Sequence, residues 1–159
     1  MRSQAVAHHP RRILCVFPRY TPSFGTFEHA YRLMGVKAFM PPQGILLIAA
    51  YLPEQWEVRF VDENIRAAKD REFDWADAVF VSGMHIQRQA MLDIARRAHA
   101  RGKVCALGGP SVSASPELYG DFDYLHIGEV GDAIAALIAT LDRDVGRPAA
   151  TPRLGSAVP

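Results

Sequence analysis

The sequence predicts a single α/β domain in which five short strands form one parallel sheet, doubly wound with helices on both faces. Three observations predict it. Short apolar runs recur along the chain, stretches with helical spacing of apolar residues separate them, and several of the runs end in small or polar residues. An unbroken apolar strand is covered on both faces, the habit of parallel sheets held between helices. Strands alternating with helices give right-handed crossovers, so the expected sheet is flavodoxin-like, within the Rossmann-like class.

The strands are expected at residues 13–17 (Ile-Leu-Cys-Val-Phe, stopped by Pro18), 58–61 (Val-Arg-Phe-Val, ended by Asp62) and 78–81 (Ala-Val-Phe-Val). Two more are expected at 104–107 (Val-Cys-Ala-Leu) and 124–127 (Tyr-Leu-His-Ile). Between the third and fourth, Ile86, Ala90, Met91, Ile94, Ala95 and Ala98 recur at helical spacing, with Gln87, Arg88, Asp93, Arg96 and Arg97 on the other side. Val130, Ala133, Ile134, Leu137, Ile138 and Leu141 form a second such stripe after the fifth strand. Pro42 suits a first helical turn, and residues 44–52 after it are apolar nearly all round, which predicts a helix buried on more than one side. Residues 18–41 are too many for a connection that usually needs about 2–6 residues. They carry Tyr20, Phe24, Phe27, Tyr31, Phe39 and Met40, with a short helix expected over 28–34. Aromatic side chains need a surface to pack on, either the end of the core or a ligand or neighbouring domain. Residues 1–11 are expected to be disordered, 12–145 to form the domain, and 146–159, rich in Pro, Ala and Gly, to be a linker or tail.

Bulk properties narrow the function. The chain has 159 residues, enough for one domain with a proper core. Its 18 Lys and Arg against 17 Asp and Glu give a net charge of +1, so no electrostatic case exists for a nucleic-acid partner or an acidic membrane face. Cys15 and Cys105 both fall in strand-like runs; two thiols so placed suit a reducing cytoplasm and form no disulfide framework or metal-ligand spacing. No apolar run is long enough to span a bilayer.

In open α/β sheets, ligands bind beyond the carboxyl ends of the strands. Three such ends carry small and polar residues: Ser82-Gly83-Met84-His85, Gly108-Gly109-Pro110-Ser111, and Gly128-Glu129-Val130-Gly131. Glycine lets backbone approach a ligand closely, and free N–H groups at helix starts favour phosphate or amide oxygens. Each corner alone also reads as an ordinary turn, His85 as a helix cap, and Glu129 as a first-turn acid near the helix dipole. No G-x-G-x-x-G follows a strand and no G-x-x-x-x-G-K-[ST] occurs, which argues against dinucleotide binding and nucleotide triphosphate hydrolysis. Phe17-Pro18 and Ser82-Gly83 stand where a receiver domain would need acids, and residues 21–26 are only a loose imitation of a flavodoxin phosphate loop. No nucleophile, base and orienting acid go together, so the chain is not expected to be catalytic alone.

Several segments in order resemble the N-terminal cobalamin-binding domain of cobalamin-dependent radical S-adenosylmethionine proteins, the group of hopanoid methylases and the anaerobic magnesium-protoporphyrin ester cyclase. They are residues 13–18, Met40-Pro41-Pro42-Gln43-Gly44-Ile45-Leu46, 58–62, 77–85, Leu107-Gly108-Gly109-Pro110, Ser115-Pro116-Glu117 and 123–129. The resemblance covers roughly residues 12–142. It implies cobalamin as cofactor, bound by Ser82, Gly83, Met84, His85, Gly108, Gly109, Pro110, Gly128 and Glu129, with the corrinoid's nucleotide tail entering at the sheet edge. Other cobalamin domains carry D-x-H-x-x-G after the first strand, whose histidine becomes the lower cobalt ligand; Pro18-Arg19-Tyr20-Thr21-Pro22 has no histidine, and the resemblance implies a lower face left open or water-bound, with His29 or His85 as the alternative ligands. The C-x-x-x-C-x-x-C run that holds an iron–sulfur cluster is also missing from this chain. The resemblance therefore implies that the cluster and S-adenosylmethionine belong to a radical domain in cis, absent here. It also implies that the module serves methyl transfer or porphyrin ester cyclisation, with an uncapped apolar rim that favours self-association. The rival expectations are a cofactor-free interaction domain of the same fold, with the 18–41 aromatics as its docking face, and a flavin-binding domain.

Overall fold

A computed structural model describes residues 9–23, 30–38, 40–148 and 150–155. In chain order they form β1 (Arg12–Phe17), α1 (Tyr31–Met34), α2 (Gln43–Tyr51), β2 (Glu57–Asp62), α3 (Asp70–Trp75) and β3 (Ala78–Ser82). There follow α4 (Arg88–His99), β4 (Val104–Gly108), α5 (Pro110–Ala114), β5 (Tyr124–Ile127), α6 (Asp132–Arg143) and β6 (Arg153–Gly155). All strand pairs are parallel, in the order β2-β1-β3-β4-β5-β6.

The period of two along each strand sorts its residues between two cores. Leu14, Val16, Val79, Val81, Cys105, Leu107 and Leu125 meet Phe73 of α3, Met91, Ile94, Ala95 and Ala98 of α4, and Val112 of α5 on one face. Ile13, Cys15, Phe17, Ala78, Phe80, Val104, Ala106 and Tyr124 meet Ile45 of α2 and Ile134, Leu137 and Leu141 of α6 on the other. Both faces are covered, so the sheet is doubly wound as expected. Cys15 and Cys105 are fully buried free thiols, and burial pushes the Cys15 thiol up to about 12.

Two expectations need correction. The sheet has six strands rather than five, because part of the stretch read as tail returns to the sheet. Leu125, His126 and Ile127 of β5 face Arg153, Leu154 and Gly155 of β6. Asp123, 4% exposed, anchors the return: its carboxylate accepts Arg147 Nε at 2.6 Å, His99 Nε2 at 2.8 Å and the Cys105 N–H at 2.8 Å. Thr151 Oγ1 adds a bond to the Phe122 carbonyl at 2.8 Å. A three-residue edge strand with one apolar side chain has no periodicity of its own to read.

The second correction concerns α2, which is not buried on more than one side. Only Ile45 is buried, while Leu46, Leu47 and Tyr51 are 44%, 49% and 55% exposed.

The long connection after β1 is tied down at its start. The Pro18 carbonyl accepts Asn64 Nδ2 at 3.2 Å and the fully buried Gln87 Nε2, while Asn64 Oδ1 accepts the Tyr20 N–H at 2.9 Å. Tyr20 is 7% exposed, its ring edge-on to Phe17 at 5.8 Å. The ends of β1, β2 and β3 are thus stitched together. Phe24, Phe27, Phe39, the first two residues of the helix expected over 28–34, and the expected disordered residues 1–8 lie outside the described residues. Of that helix, Tyr31–Met34 is present, and Leu33 and Met34 are 91% and 67% exposed.

Candidate functional site: a cleft above the fourth strand

Helix placement leaves one strand poorly covered. On the second face, α2 packs over β1 and β3, whereas α6 packs over β5 and β6. Between them, the carboxyl half of β4 presents Ala106 and Gly108, residues too small to fill the gap. The result is a cleft of ≈ 240 Å³ that reaches the carboxyl edge of the sheet. Ile45, Leu47 and Ile48 of α2, Phe80 of β3, and Ile134 and Leu137 of α6 make its apolar walls.

The three glycine-bearing corners do meet at this cleft. Ser82, Gly108, Gly109, Pro110, Gly128 and Glu129, six of the nine residues expected from the sequence, line its rim. Gly109 has φ +101°, a conformation L side chains rarely adopt, and a Cβ there would stand 2.7 Å from Ser82 Oγ and 3.4 Å from the Gly83 backbone. Backbone and a hydroxyl therefore pack against each other at the mouth, where any side chain would intrude. Gly128 has φ +88°, and its N–H donates to Ser113 Oγ at 2.9 Å. The C-terminal end of α5 thereby fixes the corner that follows β5.

The other three expected residues lie outside the cleft wall. Gly83 is buried beneath the edge: a Cβ there would meet Met91 Sδ at 3.0 Å, Gln87 Oε1 at 3.1 Å and Pro18 Cγ at 3.4 Å. It is a packing glycine, needed so that α4 can close on β3. The Met84 N–H donates to Gln87 Oε1 at 2.9 Å, and the Met84 side chain packs on the second core. His85 is exposed in a 3₁₀ turn, His85–Gln87, that leads into α4.

Two contributors escaped sequence reading. Gly44 of α2 lines the cleft, and a Cβ on it would stand 3.6 Å from Ser82 Oγ. His126 of β5 is 5% exposed, lines the same cleft, and sits beside Gly108, whose Cβ would be 3.6 Å from His126 Cβ. Its Nε2 is buried without a hydrogen-bond partner. Burial pushes the His126 imidazole below its ordinary pKa, outweighing a bond to its own backbone, so the ring is neutral at physiological pH. The available signal was a histidine in a strand whose alternation aims it at the face of Tyr124. Among the described residues no group of His, Cys, Asp and Glu is arranged to hold a metal ion, and no helix is long and apolar enough to cross a membrane.

An apolar slot with one buried polar atom inside, and a glycine-lined rim outside, suits a guest with an aromatic appendage and a polar body. The orphaned His126 nitrogen and the side-chain-free mouth at Gly109 fit a corrinoid inserting its nucleotide base. A doubly wound domain with such a cleft belongs to the class of cofactor-binding α/β modules. The chain is a member of the B12-binding domain family, whose B12 binding domain model matches residues 33–138. It is 71% identical over 139 residues to a hopanoid C-2 methylase of Rhodopseudomonas palustris (strain TIE-1), a match covering 87% of this chain and 26% of that protein. It is 39% identical over 106 residues to an uncharacterized methyltransferase of Synechocystis sp., covering 67% of this chain and 20% of that one. The chain thus spans about a quarter or less of the length of these curated relatives.

Proposed function

We propose that this domain holds cobalamin for methyl transfer carried out with a radical S-adenosylmethionine domain in the same polypeptide. The observation that carries the reading is the cleft above Ala106 and Gly108, in a chain of the B12-binding family. Its ≈ 240 Å³ is too small for a tetrapyrrole but suits a bicyclic aromatic base. On this reading the nucleotide tail lies between Ile45 of α2 and Ile134 and Leu137 of α6. Gly108, Gly109, Pro110, Gly128, Glu129 and Ser82 border its ribose and phosphate, and the corrin ring spreads over the edge outside. Bound cobalamin would supply a cobalt centre able to carry a methyl group between donor and acceptor. The chain's own part is to bind, orient and shield that group.

The two methyltransferase relatives support methyl transfer, and the 71% identity to a hopanoid C-2 methylase favours a hopanoid-type lipid over a porphyrin as the acceptor handled by the whole protein. The iron–sulfur cluster and S-adenosylmethionine would belong to the further domain, since Cys15 and Cys105 are buried on opposite faces of the sheet. A cytoplasmic setting accords with those reduced thiols. The cofactor-free and flavin alternatives gain nothing from the family match. Titration of the purified chain with hydroxocobalamin, followed by visible absorbance and gel filtration, tests the reading. A saturable spectral change with one equivalent retained is expected; an unchanged spectrum with no retention overturns it.

A further inference from the structure

We infer that the cleft above β4 selects among cobamides by the chemistry of the lower base, taking a benzimidazole and rejecting a purine. The inference rests on the cobalamin reading above and names the class of cobamide that this site accepts.

Three observations carry it. Behind the rim, the walls are the side chains of Ile45, Leu47, Ile48, Phe80, Ile134 and Leu137, none of which can donate or accept a hydrogen bond. Among the described residues, His126 is the one polar side chain that lines the cleft away from the rim, and it is 5% exposed. Its Nε2 has no partner, so the bond between the ring and its own backbone is made by Nδ1. Nδ1 therefore carries the proton of the neutral ring, and Nε2 is left with a lone pair. The polar atom inside this cleft is an acceptor, and no side chain behind the rim donates.

Benzimidazole and purine have the same bicyclic outline and share the two nitrogens of the five-membered ring. Each is joined to ribose through that ring, so with the ribose at the rim the six-membered ring points inward. There purine carries two nitrogens in place of two C–H groups. Both nitrogens accept hydrogen bonds from water outside; in the cleft they face hydrocarbon or the Nε2 lone pair, and their hydration is lost without replacement. Benzimidazole presents only C–H groups at those positions, and the two methyl groups of its dimethyl form add apolar contact. The free nitrogen of the five-membered ring is common to both bases and cancels from the comparison.

The test compares benzimidazolyl cobamide with purinyl cobamide on the full chain, both reduced to the four-coordinate cob(I) state so that cobalt holds neither base. Equilibrium dialysis is expected to give a dissociation constant at least about tenfold lower for benzimidazolyl cobamide. In protein with ¹³C-labelled isoleucine methyls, the Ile45 and Ile134 δ-methyl signals are expected to shift on saturation with benzimidazolyl cobamide, because its base lies between them. A smaller ratio, or tighter binding of the purinyl form, overturns the inference while leaving the cobalamin reading intact. Isoleucine signals indifferent to a bound benzimidazolyl cobamide overturn it as well, since the base then lies elsewhere. Failure to bind either cobamide overturns both.

Discussion

Gly109 and Ser82 meet across the β3–β4 corner so closely that a Cβ on Gly109 would stand 2.7 Å from the Ser82 hydroxyl oxygen. The contact joins two of the three strand ends that border the cleft and fixes the width of its mouth.

Gly109→Ala should therefore damage both fold and binding. A φ of +101° is strained for alanine, and the added methyl displaces Ser82 or the corner itself. A loss of about 1–3 kcal/mol is expected by denaturant titration. Hydroxocobalamin affinity should fall by more than about tenfold. Removing the hydroxyl as well, in Gly109→Ala with Ser82→Gly, should recover part of that loss because only the torsional strain then remains.

Gly44→Leu should separate binding from stability. The first methyl fits, 3.6 Å from Ser82 Oγ, and the rest of the side chain enters the cleft. Glycine is a poor helix former, so stability should hold or rise by up to about 1 kcal/mol. Visible titration should show corrinoid binding abolished in a protein of equal or higher Tm. Retained binding would place the guest elsewhere.

Asp123→Ala should loosen β6 before the rest of the sheet. It removes the carboxylate that joins Arg147, His99 and the Cys105 N–H, at a cost of about 2–4 kcal/mol for a buried, multiply bonded charge. Hydrogen exchange should accelerate first at residues 153–155, where a single neighbouring strand supplies the pairing.

Acid should weaken the α3 side of the core through Glu72. The Arg66 guanidinium bonds its carboxylate at 2.7 and 2.9 Å and, despite the opposing effect of burial, the Lys69 N–H helps hold the pKa near about 2 against an ordinary 4.5. Because the folded pKa is the lower, this contribution is complete above pH 4.5 and lost as pH falls toward 2. Arg66 is 47% exposed, so the contribution is about 1–2 kcal/mol after solvent screening. Glu72→Gln should flatten the stability profile between those limits, measured as Tm against pH.

The isolated chain should self-associate. Leu33, Met34, Leu46, Leu47 and Tyr51, on α1 and α2, are all exposed, an apolar display that favours burial against a further surface. Sedimentation velocity should show mass rising with concentration, and Leu33→Glu combined with Leu46→Glu should suppress the rise. A strictly monomeric wild type at high concentration would rule the association out.

Much of this architecture was local information. The runs at 13–17, 58–61, 78–81, 104–107 and 124–127 each became a strand within a residue at either end, because a largely apolar run of four or five stopped by Gly, Pro, Asp or Ser leaves few alternatives. The stripe ending at Ala98 gave the buried face of α4, and that ending at Leu141 gave the buried face of α6. The Gly109 corner was legible for the same reason: glycines beyond a strand mark where backbone must turn tightly.

Other features were decided only when the chain folded. Gly83 looks like Gly108 in sequence, yet Met91 and Gln87 of the segment that follows it close over it, while Gly108 opens on the cleft, whose walls come from α2 and α6, distant in the chain. His126 reads as one more strand residue until α2 and α6 pack to either side of β4 and leave its imidazole at a cavity wall. The three residues of the Pro- and Ala-rich stretch that form β6 have no strand signal until β5 offers them a free edge. Strand identity follows from side chains a few positions apart; a cavity depends on the distance between helices that sequence neighbours do not control.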